Sequence, residues 1–474
     1  MKKRTAIALM MVAFIIGATG MFFAIDWYGK SNISSVSTEK GMSQEDLQKV
    51  NDVYRTISGQ YVSDVKKDKL VEGAINGMVG SLDDPYTSYM GVKEATQFME
   101  SLGSSFQGIG AEVGLIDGKV TIISPIRDTP AEKAGLKPND TILEIDGTST
   151  DGLSINDAVK KIRGEKGSEV SLKILRVGSK EPFNVNIVRD DIPIITVRSK
   201  MEEQNGKKIG IIEITSFSEQ TATEFKKELD KLEKEGIDGL VLDVRGNPGG
   251  YLTSVEDILA ELIPKDKPYV QIEDRNGEKK PYYTSITDKK PYPIIGLIDE
   301  GSASASEILA GALKEAGEYK LVGEKSFGKG TVQQTMDLGD GSQLKLTMFK
   351  WLTPDGNWIH KKGIEPTVEV KQPDYYYVTH LEVTEPLQID TNGEQVKNAQ
   401  QMLAGLGFEP GRTDGYFDEQ TKTAVLAFQQ QNGLEATGII DEETASSLES
   451  KVIEKIRSKE EDRQLQSAIE MVAE

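Results

Sequence analysis

The sequence predicts a multi-domain α+β chain: an α/β layered core preceded by a helical region and a small β-rich module, and followed by a small all-α domain. Three observations predict it. From about residue 191 to 385, strand-like runs alternate with runs of helical spacing, as helices layered on a sheet require. From about 104 to 190, short β-prone runs are separated by Gly, Pro and Asp-Gly turn signals. From about 386 to 450, apolar residues group into two or three short helices around a small core of Leu403, Leu406, Val425, Phe428 and Leu434. A chain of 474 residues with 37% hydrophobic content has room for several packed cores.

Residues 1–30 read as a membrane anchor or signal segment. Lys2, Lys3 and Arg4 precede Thr5–Ile25, an uncharged, mostly apolar stretch. As a helix it would be roughly 30 Å long, enough to cross a bilayer core. The basic flank places the N-terminus inside and the remainder outside. Ala18-Thr19-Gly20 would suit cleavage of a signal peptide, but Met21-Phe22-Phe23-Ala24-Ile25 keeps the stretch apolar beyond it and favours an uncleaved single-pass anchor. Residues 31–103 then form a polar linker and a helical region. Leu47, Val50, Val53, Tyr54 and Ile57 recur at helical spacing, as do Leu70, Ala74, Met78 and Val79, before Asp83-Asp84-Pro85-Tyr86 breaks the pattern. A short helix is expected around Lys93–Leu102.

The β-rich module of residues 104–190 opens with Phe106-Gln107-Gly108-Ile109-Gly110-Ala111. A strand at Val120–Ile123, a short helix at Thr129–Ala134 and a strand at Thr141–Ile145 follow. Asp146-Gly147 is a hairpin signal, Ser154–Arg163 a helix, and the last strands lie near Val170–Arg176 and Phe183–Val188. This order resembles a PDZ domain. The resemblance puts Gly108, Ile109, Gly110 and Ala111 in the loop whose backbone N–H groups hold a peptide's terminal carboxylate, the peptide adding as a strand.

The chemistry concentrates in three stretches of the core. With no cysteine there is no thiol nucleophile, no thiolate metal site and no disulfide; the two histidines, His360 and His380, both follow these stretches and lie far from any carboxylate cluster with ligand spacing. No metal or cofactor is implied. A hydroxyl nucleophile still needs a proton acceptor, and Ser–Lys pairs are one variant of the serine–base arrangement. Ser304, in Gly301-Ser302-Ala303-Ser304-Ala305-Ser306-Glu307, is therefore read as the nucleophile of a hydrolase. Lys329, in Phe327-Gly328-Lys329-Gly330-Thr331, is read as its base, kept neutral by burial or cationic neighbours. If Lys329–Gln334 is a strand, Lys329 and Gln333 share a face and Gln333 orients the lysine, with Gly328 and Gly330 giving access. The glycines of Arg245-Gly246-Asn247-Pro248-Gly249-Gly250, together with the Ala305 N–H, offer donors for a tetrahedral oxyanion. Plainer roles exist for each: a serine is a common helix cap, Ser302 as readily as Ser304, and a lone lysine is commonly a solvated surface group.

These stretches resemble, in one order, the C-terminal processing (tail-specific) proteases, exported bacterial enzymes also found in chloroplasts. The resemblance covers about residues 45–380. It includes Asp83-Asp84-Pro85-Tyr86-Thr87, the PDZ module, and Thr353-Pro354-Asp355-Gly356 with Gly363-Ile364-Glu365-Pro366. It implies a ClpP/crotonase-like core over 191–385 with an inserted PDZ domain. It implies Ser304 as nucleophile, Lys329 as base, Gln333 as its support, and oxyanion donors at Gly250 and Ala305, with Gly249 as the alternative to Gly250. It also implies that Arg163 helps couple a bound C-terminus to the active conformation. The substrates implied are proteins with apolar C-termini. A trypsin-like PDZ protease would need a histidine base and a serine where Pro248 stands; a silent scaffold would not need Ser304, Lys329 and Gln333 together.

Residues 386–450, with Asp414-Gly415-Tyr416-Phe417 and Phe428-Gln429, resemble the peptidoglycan-binding domain of many wall enzymes. Peptidoglycan is thus an implied partner. Residues 451–474 read as a charged helical tail, solvated or between subunits; with 44–82 it is a candidate for joining two copies as a homodimer. The net charge of −20 argues against nucleic acid as a partner.

Overall fold

The structure is a computed structural model that describes residues 41–474 except Asp117, Val177, Gly178 and Lys180. The expected anchor over Thr5–Ile25 lies outside the described residues. Among the described residues, no helix is long and apolar enough to cross a membrane.

Residues 41–83 form their own unit, with helices Gln44–Gln60 and Lys67–Gly80. Ser43 caps the first, its Oγ accepting the Asp46 N–H at 3.0 Å. The apolar stripe read from the sequence is present and, among the described residues, uncovered: Leu47, Val50, Val53 and Ile57 are exposed.

The centre of residues 84–474 is a six-stranded sheet. In spatial order its strands are Val197–Gln204, Lys207–Ile214, Gly239–Asp243, Ile294–Ile298, Lys320–Gly323 and Val368–Glu369, which is also their order in the chain. The first pair is a hairpin and antiparallel; every later neighbour is parallel. Parallel neighbours need crossovers; the Thr221–Lys234, Leu252–Leu259 and Ala305–Gly311 helices lie in the first three, and the fourth, from Gly323 to Val368, runs through the strands Thr331–Asp337 and Gln343–Leu352. Alternation along each strand gives the sheet two apolar faces. Ile212, Ile214, Leu240, Leu242, Ile294 and Ile298 meet Phe225, Leu229, Val255, Ile258 and Leu309 from those helices. After Gly311 the third helix widens into a π-helical turn, Ala312–Ala316.

The tail differs from its reading as a solvated or intersubunit helix. Residues up to Ser458 continue the Glu442–Ser458 helix of the C-terminal domain, and a separate helix, Arg463–Ala473, returns to the core. Its Leu465, Ala468, Ile469, Val472 and Ala473 lie at helical spacing and cover the sheet's other face at Ile209, Ile211, Val241, Ile295, Leu297 and Val322. Charge dominates the composition of 451–474, but an apolar stripe needs few positions, and these suffice. That segment is therefore occupied within the chain rather than open to a second copy.

The PDZ-like module stands on a two-stranded stalk, Ser105–Gly108 pairing antiparallel with Asp190–Pro193. Its own sheet and its Ile155–Ile162 helix close over Val120, Ile122, Ile142, Ile145, Leu172 and Ile174. A second core sheet carries Ser88–Met90, Gln343–Leu352, Val270–Glu273, Lys279–Tyr282 and the strand Thr331–Asp337. The C-terminal domain packs helices Glu394–Gly405, Glu419–Gln431 and Glu442–Ser458 around Leu403, Phe417, Val425 and Phe428.

Candidate active site

The Ile294–Ile298 strand, the sharp turn after it and the helix from Ala305 fix the serines. Ser302 is fully buried, donating to the Val244 carbonyl at 2.8 Å and accepting the Asp299 N–H at 3.0 Å. Ser306 is buried and donates to the Asn247 carbonyl at 2.8 Å. Those two hydroxyls hold loops together. Ser304 instead lines a cleft of about 730 Å³ and sits at φ 56°, ψ −112°. A non-glycine residue there is strained, a condition that persists only where the surroundings enforce it.

What enforces it is Glu307, fully buried three residues on. Its Oε2 accepts the N–H of Ser304 at 2.9 Å and of Lys329 at 2.8 Å; its Oε1 accepts the Ser326 hydroxyl at 2.6 Å and the Gly328 N–H at 2.7 Å. One carboxylate thus joins the backbones of the candidate nucleophile and base. The sequence reading missed it, although Ser-x-x-Glu at a helix start is a capping signature.

The RGNPGG loop is stitched to this turn by Asn247. Its backbone carbonyl accepts the Ala303 N–H at 3.0 Å, its Nδ2 donates to the Ile214 carbonyl at 2.8 Å, and its Oδ1 accepts the Gly249 N–H at 2.8 Å. That last bond separates the two candidate glycines. Gly249 has its donor occupied, whereas the N–H groups of Gly250 and Ala305 meet no acceptor among the described residues. Gly250 adopts φ 148°, and a Cβ there would lie 2.1 Å from the Phe217 carbonyl oxygen, so only glycine fits.

Lys329 lines the same cleft; neither histidine does. Burial and the charge of Lys345 hold its ammonium below the usual lysine range, against the opposing pull of Glu307 and Asp84. The Tyr86 ring covers it, with Nζ 5.0 Å from the ring centroid. No hydrogen bond joins Ser304 to Lys329 among those of the described residues. Gln333 also lines the cleft, but its amide nitrogen donates to Thr331 at 3.1 Å and Thr347 at 3.0 Å rather than meeting Lys329. The strand begins only at Thr331 and bulges between Val332 and Gln333, which breaks the alternation expected to align Lys329 with Gln333. Gly328 and Gly330 serve packing: a Cβ on them would come within 2.9 Å of the Gly363 nitrogen and 2.8 Å of the His360 nitrogen.

In the PDZ-like module, the N–H groups of Ile109 and Gly110 likewise find no acceptor among the described residues. Arg163 ends the Ile155–Ile162 helix beside this loop, its guanidinium 4.7 Å from the centre of the Phe106 ring. Gly108 follows that ring closely, and a Cβ on it would approach the ring at 3.3 Å and Arg163 Cγ at 3.7 Å.

Comparison with known proteins matches these parts. Residues 208–370 match peptidase family S41, 121–176 a PDZ domain, 14–94 the activating protease CtpB N-terminal domain, and 392–448 a peptidoglycan binding domain. The carboxy-terminal processing protease CtpB of Bacillus subtilis is 53% identical over 462 residues, covering 96% of each chain. The chain belongs to the carboxy-terminal processing proteases of family S41. The CtpA protease of the same organism is 42% identical, over 92% of this chain and 93% of its own. Among solved structures, the photosystem II D1 C-terminal processing protease is 27% identical, with a TM-score of 0.43, and covers 70% of this chain and 94% of its own. As a carboxy-terminal processing protease, the chain is a serine-type peptidase carrying a PDZ domain and a peptidoglycan-binding domain.

Proposed function

We propose that this protease works outside the membrane with Ser304 as nucleophile and Lys329 as general base. Neutral Lys329 takes the Ser304 proton as Oγ attacks the scissile carbonyl carbon. The N–H groups of Gly250 and Ala305 receive the oxyanion, and the protonated amine then returns its proton to the leaving amine. The single observation that carries this reading is the pair of unoccupied N–H donors beside a serine held in a strained turn. Gln333 supports Lys329 once the cleft tightens; in the arrangement described it is held by two threonines. The missing Ser304–Lys329 bond fits an enzyme whose site is completed on substrate engagement. In that engagement Gly108–Ala111 hold the terminal carboxylate of an apolar protein C-terminus, and Arg163 couples its arrival to the core.

The domain limits 104–190, 191–385 and 386–450 form part of this reading, as does tethering to peptidoglycan through 386–450. Thr5–Ile25 would anchor the chain in the cell membrane with the catalytic parts on the extracytoplasmic side. Association of copies, if it uses a helical end, falls to the exposed stripe of Gln44–Gln60.

The test incubates the purified chain with an unstructured protein bearing an apolar C-terminus and reads products by mass spectrometry. Wild type should cleave; Ser304→Ala and Lys329→Ala should not. Unchanged cleavage by Lys329→Ala would sink the lysine-base assignment.

A further inference from the structure

The loop that carries Gly250 starts at Arg245, and Arg245 points away from the cleft. Its Nε and Nη2 donate to Asp243 at 2.9 and 2.7 Å. Its Nη1 and Nη2 donate to Asp462 at 2.8 and 2.7 Å, and Nη1 also reaches Gln464 Oε1 at 3.0 Å. The side chains of Asp243 and Asp462 are each only 4% exposed. Asp462 is the cap of the Arg463–Ala473 helix, accepting the Leu465 N–H at 3.0 Å, and it accepts Gln372 Nε2 at 2.7 Å. Gln464 in turn donates to the Val370 carbonyl at 2.8 Å. At the far end of that helix, Val472 fits over Gly239, where a Cβ would lie 2.0 Å from Val472 Cγ1. Gly239 opens the strand that ends at Asp243.

A buried ion pair is a weak source of net stability, because desolvation offsets much of the attraction. Bidentate Arg–carboxylate geometry, by contrast, fixes position and direction. Here it fixes the first residue of the loop, while Asp299 holds Gly246 through a 2.7 Å bond and Asn247 holds the loop's middle. Next to Gly250 itself, the Phe217 N–H donates to the Gly249 carbonyl at 3.0 Å and the Phe217 carbonyl accepts the Tyr251 N–H at 2.7 Å, so Arg245, Gly246 and Asn247 anchor the start of a loop whose end is pinned on Phe217.

We propose that Asp462 is a positioning residue for peptide cleavage: through Arg245 it fixes the base of the loop that presents the Gly250 N–H. The helix that follows the wall-binding domain is thus a working part of the catalytic core. This rests on the assignment of Gly250 as an oxyanion donor.

The test uses the full chain as wild type, Asp462→Asn, Asp462→Glu and Gln464→Ala, with Ser304→Ala alongside. Steady-state cleavage is normalised to the fraction of sites labelled by a serine-directed covalent reagent, and hydrogen exchange is followed over residues 245–250. Loss of one oxyanion donor costs about 10²–10³-fold in kcat, so a displaced one should cost roughly 10–100-fold. Asp462→Asn should show that fall in kcat with KM within about twofold and faster exchange in the loop; Asp462→Glu should recover part of it. If Asp462→Asn does not fold, Gln464→Ala should show the same pattern more weakly. Unchanged kcat, or a loss fully explained by fewer labelled sites, overturns the proposal. Cleavage surviving in Ser304→Ala would remove the reading beneath it, and the exchange data would then decide separately whether the strut exists.

Discussion

Replacing Glu307 by glutamine isolates the carboxylate's role without changing its size. Four donors converge on its two oxygens: the Ser304, Gly328 and Lys329 N–H groups and the Ser326 hydroxyl. Glutamine keeps one acceptor oxygen and turns the other into an NH₂ that faces two donors. Those two lose their acceptor in a fully buried site, at about 1–3 kcal/mol each, and the bonds that survive lose their charge assistance. The sum is about 3–6 kcal/mol, which at roughly 2–4 °C per kcal/mol lowers Tm by at least about 6 °C. The strained Ser304 turn should relax as well, so kcat should fall by about 10²-fold or more in the protein that remains folded. Calorimetry at matched pH and cleavage normalised to covalent labelling measure both. A variant with wild-type Tm and wild-type kcat would refute the reading that one carboxylate holds the Ser304 and Lys329 backbones in register.

Three further outcomes follow from the same geometry. With Lys329 as the proposed base, active only as the neutral amine, cleavage should rise as pH climbs through its lowered pKa; Lys345→Gln removes a repelling charge, raises that pKa, and should move the rising limb of the pH–rate profile to higher pH. The same lowering makes charged Lys329 a folding penalty that is full below its folded pKa and vanishes above the ordinary lysine value, so its contribution to stability should improve with pH across that window. Gly250→Ala, which would set a Cβ 2.1 Å from the Phe217 oxygen, should lower both Tm and cleavage, read by a thermal melt and a peptide assay.

The parts legible in the sequence were those with a local cause. Short continuous apolar runs located the Gly239–Asp243 and Ile294–Ile298 strands because both faces of the sheet are apolar. Asp146-Gly147 located its hairpin because positive φ is needed at both residues. Small residues around Ser304 pointed to the turn. The choice between Gly249 and Gly250 was not legible, since it hangs on one bond from the Asn247 side chain. That Gln333 donates to Thr331 and Thr347 rather than meeting Lys329 was not legible either, since it goes with a bulge that no local pattern announces. The role of Asp462 depends on a partner 217 residues away, a distance at which single-sequence periodicity carries no signal.

That separation also orders events during synthesis. A chain made from its N-terminus completes the serine, the lysine and the RGNPGG loop long before it makes Asp462 and the helix that closes the sheet. Until then the Ile209, Ile211, Val241, Ile295, Leu297 and Val322 face stays bare, and a half-made chain offers chaperones an apolar surface rather than a finished protease. If Asp462 positions the RGNPGG loop as proposed, a chain cut short before Arg463–Ala473 should lack both the strut on Arg245 and the cover over the sheet, and so should not cleave until that last segment has emerged.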